Sequence, residues 1–200
     1  MKIKIGIPFA NYSNVSDITK ESLSKLTSDT YDIKYIQGSN IFRARNVMIN
    51  NGLSNEIYQD NFDFDYFLSV DSDVGFTEDN INQLIETKQD VVGGIYQYKD
   101  QRHLAVAGMF NNGNITSRGD WDNTNVHKVD WTGSGFLLVH KNALKKLEYP
   151  WFRTEIVKLE MNGKILQELC SDDIGFGLNC KRCGVQIYID CDCKVVHDDN

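Results

Sequence analysis

The sequence predicts an α/β fold with a mixed, mostly parallel central sheet flanked by helices and a smaller antiparallel part. Three observations predict it. Strand-like apolar runs alternate with helical patterns through the first half, which is the mark of βαβ units. The rhythm then changes to strands separated by polar, Gly- and Asn-rich turns. Finally, 200 residues at 41% hydrophobic content fill one core and leave little room for a second. A single domain over residues 1–200 is expected.

The elements follow in order. Residues 3–7 alternate as a strand does, and Ser16 to Leu26 carries a helical pattern. A strand over Tyr31 to Ile36 is followed by a helix over Ile41 to Leu53, where Ala44, Val47, Met48 and Leu53 fall near one face. Tyr66 to Val70 is an apolar strand, Thr77 can cap a helix to about Lys88, and Val91 to Tyr96 reads as a buried strand. After Gln97, strands are expected over Leu104 to Phe110, Val126 to Trp131 and Gly135 to Val139. Asn162-Gly163 between two apolar runs is a hairpin signal, because both residues tolerate the positive φ of a type I′ turn. Ser171 can cap a helix ending at Gly184, and Val185 to Asp190 supplies a closing strand.

A formal net charge of -7, spread along the chain, argues against an electrostatic grip on nucleic acid or an anionic membrane. No apolar run approaches the roughly 20 residues that span a bilayer, and the first residues read as a strand rather than a signal peptide. A cytoplasmic location with reduced cysteines is expected.

Two acidic clusters carry the chemistry. Asp71-Ser72-Asp73 follows the strand Phe67-Leu68-Ser69-Val70, which delivers two carboxylates to the sheet edge where open α/β folds place ligands. A hard divalent ion such as Mg2+ or Mn2+ uses one or two such carboxylates and completes its shell with water and substrate phosphates. A nucleotide diphosphate is the substrate this suggests. Ser171-Asp172-Asp173 opens a helix, where acids also serve simply as cap and dipole partners.

The chain resembles the small GT-A glycosyltransferases that use sugar nucleotides, including short viral and phage versions. The resemblance rests on Gly6-Ile7-Pro8, Arg43-Ala44-Arg45-Asn46, the run from Phe64 to Asp73, Val91 to Tyr96, Asp130 to Phe136, Ser171 to Phe176, Gly184 to Asp190 and His197, in order along nearly the whole chain. It implies a GT-A fold and transfer of a sugar from a nucleoside diphosphate sugar, a UDP-sugar first, to a hydroxyl of a glycan acceptor. Asp71 would serve the nucleotide ribose or a metal-bound water, Asp73 the Mn2+ or Mg2+ ion, and His197 would complete the metal site; the alternative for His197 is a surface residue near the C-terminus. Asp173 would be the general base and Asp172 would assist with the acceptor. One base opposite the leaving group implies inversion at the anomeric carbon.

Further assignments follow from the same resemblance. Arg43 and Arg45 would lie beside the nucleotide, as guanidinium groups suit phosphate or a base face, or else form a solvated helix face. Pro8, Phe9 and Ala10 would approach the base, and Ser72 would lie with the acidic pair. Trp131 and Gly133 would line the sugar pocket, although Trp131 also suits a core position at a strand end. Trp151 is open in the same way, between core and an acceptor-facing flap.

Cys180, Cys183, Cys191 and Cys193 offer enough thiols for a zinc site at imperfect spacing, with reduced core cysteines as the plainer reading. Cys170 reads as core, and His103, His127 and His140 as surface or turn residues. Rival functions are a sugar nucleotidyltransferase and a non-catalytic nucleotide- or glycan-binding module. The nucleotidyltransferase would need a Gly-rich basic phosphate loop, and Ile7-Pro8-Phe9-Ala10-Asn11 has neither glycine nor lysine.

Overall fold

A computed structural model describes residues 1–10, 15–38, 40–51, 62–97, 103–104, 107–111, 114–117, 125–161 and 164–198. Strand β1 (Ile3–Phe9) is buried along its whole length and lies between β2 (Tyr31–Gln37) and β3 (Tyr66–Val70), parallel to both. Helices α1 (Asp17–Ser24) and α2 (Ile41–Ile49) provide the crossovers. Each starts where a side-chain oxygen satisfies an otherwise orphaned N–H: Ser16 accepts from Thr19, and Asn40 from Arg43. The predicted βαβ units are therefore present.

Next come the two-residue strand β4 (Val74–Gly75), helix α3 (Glu78–Glu86) and strand β5 (Val91–Gln97). Thr77 and Asn80 form a reciprocal capping box at the start of α3. Thr77→Ala is expected to lower stability by about 1 kcal/mol, read as a melting shift of about 2–4 °C, and an unchanged Tm would show that the box contributes nothing.

The second half contains β6 (His103–Leu104), β7 (Ala107–Asn111), β8 (Asn114–Ser117), β9 (Val126–Val129), β10 (Trp131–Thr132), β11 (Phe136–His140), α4 (Lys141–Lys146), β12 (Ile156–Met161), β13 (Lys164–Leu169), α5 (Asp172–Arg182) and β14 (Ile187–His197). The central sheet has the order β2-β1-β3-β11-β5-β14-β4, with β6 beside β5 and β9 beside β14. Strands β2, β1, β3, β5 and β14 run one way, and β11 enters between β3 and β5 antiparallel to both. The expected mixed, mostly parallel sheet is observed, with one antiparallel strand at its centre. The reason is compositional: Phe136 to Val139 is apolar at every position and is buried on both faces. Two small antiparallel sheets, β10-β7-β8 and β12-β13, complete the architecture.

Several boundaries differ from the sequence reading. Asp130 divides the predicted strand over Val126 to Trp131, because its carboxylate accepts the Phe110 N–H at 2.7 Å while its own N–H donates to Gly108. The closing strand runs on to His197 through a register irregularity between Asp190 and Lys194. The strands flanking the predicted hairpin pair as expected, from Ile156 with Leu169 to Met161 with Lys164. The turn Asn162-Gly163 and the predicted helix end at Leu53 lie outside the described residues. Helix α4 went unpredicted; His140 caps it by accepting the Asn142 N–H at 3.2 Å.

Successive residues of β11 enter two buried clusters in turn, Leu137 and Val139 one, Phe136 and Leu138 the other, so the core lies on both sheet faces. Trp151 is fully buried, with its indole N–H donated to the Leu144 carbonyl at 3.0 Å. It is a core residue and not part of an exposed flap. Lys4 is also fully buried: its ammonium pairs with Asp63 at 2.8 Å, bonds Asn51 and lies over the Phe64 ring. Burial works against the Asp63 charge, but bonds from Lys4 and Asn51 outweigh it and hold that carboxyl at about 2.

Candidate active site

The carboxyl edge of the parallel strands gathers groups from distant parts of the chain. Asp71 directly follows β3, and its N–H donates to the Gly135 carbonyl at 2.9 Å, just before β11. Because β11 is antiparallel, its start lies at the same edge as the end of β3. A side chain at Gly135 would meet the site, since a Cβ there would stand 2.6 Å from Asp71 Oδ2 and 2.7 Å from the Tyr96 hydroxyl. The neighbouring Ser134 N–H donates to Asp173 Oδ1 at 3.0 Å.

Asp173 lies in the first turn of α5, behind the Ser171 cap. That helix packs closely at its start, where a Cβ on Gly175 would fall 1.7 Å from the Arg153 carbonyl oxygen. The two acidic clusters thus meet at one turn. Asp71, Tyr96, Gly133, Ser134, Gly135, Asp173 and His197 line a cleft of about 110 Å³.

The remaining members of the acidic clusters have different neighbours. Strand β4 pairs Val74 with His197, which sets Asp73 Oδ2 3.6 Å from His197 Nε2. The His197 ring is half-buried and packs edge-on to Tyr96, with ring centroids 6.0 Å apart. Asp172 turns toward Arg45. Only 3% exposed, Arg45 donates from Nε to Ser69 Oγ at 3.0 Å, from Nη2 to Asp71 Oδ1 at 2.5 Å and from Nη1 to Asp172. The guanidinium assigned to the nucleotide is committed here to two carboxylates.

Electrostatics separate the acids. Burial pushes the Asp173 carboxyl up to about 6; Arg45 and the Ser134 N–H oppose this, and Asp172 and Asp71 add to it. Burial also raises Asp73 against the pull of His197. Tyr96 is raised well above the usual phenol range by burial and by the Asp71 and Asp173 charges. Burial penalises the Arg45 charge, but Asp71, Asp172 and Asp173 outweigh it and hold the guanidinium above its ordinary value. An acid near 6 that faces a cleft is suited to accept a proton at neutral pH.

The other predicted site residues are placed as follows. Pro8, Phe9 and Ala10 end β1 at the same sheet edge; Phe9 meets the Tyr35 ring edge-on, and the Ala10 carbonyl accepts from Gln37. Arg43 is exposed on α2. The Ser72 carbonyl accepts from the Ser16 N–H and the Thr19 hydroxyl, which ties the acidic turn to α1. Trp131 is buried, and its indole N–H has no hydrogen-bond partner among the described residues. Among the described residues these six do not line the cleft. Tyr96, Ser134 and Ser69 were not singled out from sequence; all three lie inside the runs that carried the resemblance, where nothing distinguishes them from their neighbours.

Among the described residues, no three His, Cys, Asp or Glu side chains converge as a metal site. Asp73 and His197 instead form a two-donor pair of one carboxylate oxygen and one imidazole nitrogen, a set that suits Mn2+ better than Mg2+, with the remaining oxygens to come from water and a diphosphate. Asp71, expected with them, is paired with Arg45. The cysteines do not form the zinc cluster their spacing allowed: Cys180 and Cys191 enter one core cluster with Cys183 packed against it, while Cys193 enters the other. The register irregularity in β14 reverses which face receives the side chains, and so separates Cys191 from Cys193.

This topology recurs in solved structures. The crystal structure of A197 from STIV matches with a TM-score of 0.54 at 16% identity, over 100% of this chain and 95% of that one. That of GalNAc-T7 with UDP, GalNAc and Mn2+ matches with a TM-score of 0.55 at 9% identity, over 98% of this chain and 43% of that one. The fold is GT-A. At these identities the likeness extends to the GT-A fold alone, and this chain spans less than half of the GalNAc-T7 chain. No protein-family model and no curated protein matches the sequence. Among the described residues, no helix is long and apolar enough to cross a membrane.

Proposed function

We propose that the protein is an inverting, divalent-metal-dependent glycosyltransferase that moves a sugar from a nucleoside diphosphate sugar, a UDP-sugar first, to a glycan hydroxyl. The observation that carries this reading is the position of Asp173, a carboxyl near 6 facing the same cleft as Asp71 and His197. The GT-A fold supports it, and the GalNAc-T7 structure that shares the fold was solved with UDP, GalNAc and Mn2+.

The acceptor hydroxyl oxygen attacks the anomeric carbon while Asp173 takes its proton. The bond from that carbon to the phosphate oxygen breaks, and the nucleoside diphosphate leaves with the electron pair. Asp73 and His197 would hold the cation, whose chemistry is to neutralise charge on the diphosphate without proton transfer. Ser134 orients the base through its N–H, and Arg45 fixes Asp71 and Asp172 on the floor of the site.

The test is thermal melting with UDP, GDP, ADP and CDP, each with and without Mn2+, followed by a transfer and donor-hydrolysis assay with sugars of the base that binds. One nucleotide near a hundred times its Kd is expected to raise Tm by about 5 °C or more, only with Mn2+, and to lose this effect in Asp73→Ala. A shift independent of Mn2+ would overturn the metal assignment. Metal-dependent binding without hydrolysis or transfer of any donor would replace the enzyme with a binding module.

A further inference from the structure

Strands β12 and β13 form a two-stranded sheet separate from the central one, and every residue of β13 is exposed. The hairpin presents Ile165 at 72%, Ile156 at 71%, Leu169 at 64% and Leu166 at 42% exposure. A two-stranded hairpin alone is marginal in water, and stability comes with three or more strands. Natural edge strands are blunted by cover, charge or bulges; β13 runs without register break along its pairing with β12, and its two charges, Lys164 and Glu168, are of opposite sign.

We propose that β13 pairs antiparallel with β13 of a second copy, across a two-fold axis through Leu166, to make a four-stranded sheet. Only alternate residues of an edge strand turn their N–H and C=O outward, so a strand meeting its own copy pairs residues of like parity. Centring on Leu166 places Leu166 against itself, Ile165 against Gln167, and Lys164 against the partner subunit's Glu168. Symmetry repeats the charge pair on the other side of the axis, as an isologous interface requires. This self-complementary order of Lys, Leu and Glu selects a second copy as the occupant. The inference does not depend on the glycosyltransferase reading.

Sedimentation velocity from about 1 to 100 µM tests it, with the dimer constant fitted by mass action. The natural protein is expected to dimerise. Lys164→Glu and Glu168→Lys each turn two attractive pairs into two repulsive ones and are expected to weaken the dimer about tenfold or more. Combining both substitutions is expected to return the constant to within about threefold of the natural value, because the pairs re-form with reversed sign. Circular dichroism melting checks that each variant folds. A natural protein that stays monomeric, single reversals without effect, or a double variant that stays weak would each overturn the proposal.

Discussion

Asp173→Asn is expected to reduce sugar transfer by about 10²–10⁴-fold, the range for loss of a general base, and at the same time to make the protein more stable at pH 7. The carboxyl is raised from its ordinary 3.8 to about 6. Its protonated form is therefore favoured in the folded chain, and holding it ionised at pH 7 costs about 1–3 kcal/mol. The stability that this proton contributes is fully present below about 4 and is lost as pH rises through about 6. The asparagine variant carries no such titration, and its amide oxygen still accepts from the Ser134 N–H. The stability gap between the two proteins should open between pH 4 and 6 and stay flat above. Urea denaturation of both across that range, without divalent cations, decides it. Parallel curves, or a variant less stable than the natural protein at pH 7, would sink the account of Asp173 as a buried base held ionised at a cost.

Arg45→Met is expected to be among the most damaging single changes to stability. Arg45 is almost fully buried and joins Asp71 and Asp172, so removing it strands two carboxylates. Breaking a fully buried pair costs about 3–5 kcal/mol; with the Asp71 side chain 37% and the Asp172 side chain 19% exposed, water relieves part of this and the expected loss is about 2–3 kcal/mol, or a Tm lower by about 5–10 °C for a chain of this size. Lysine is not a rescue, because one ammonium cannot span Ser69, Asp71 and Asp172 as the planar fork does. Pairing Arg45→Met with Asp172→Asn should restore part of the loss, since one stranded charge is then gone. A single variant within about 1 kcal/mol of the natural protein would show that water already solvates these acids.

What the sequence revealed followed from local periodicity. The strand before Asp71, the Thr77 and Ser171 caps and the βαβ alternation each depend on neighbours within one element, and each was legible. The inward insertion of β11 was not, because an apolar run marks burial and carries no strand direction. The meeting of Asp73 with His197 is set by a two-residue strand too short to leave a pattern, and only the resemblance put the two residues together. Arg45 shows the same limit more sharply. The resemblance implied a place beside the nucleotide and the helical pattern a solvated face; the partners it has come from β3, the turn after it and the start of α5. A network of that kind is visible only once the sheet has brought those elements to one edge.

The central placement of β11 also constrains the order in which the molecule can fold. β1, β2 and β3 are linked by short crossovers, whereas β3 must wait for a strand that follows much later in the chain, and β14 must then find β5 and β4. Loop-closure entropy opposes such distant pairings until several form together. Asp71 gains its Gly135 bond only when β11 docks, and Asp73 gains His197 only when β14 does. The cleft thus exists only where both of these long-range pairings are made. Its acids are far apart along the unfolded chain, so the electrostatic cost of gathering them has to be met by the long-range strand pairings that also close the core.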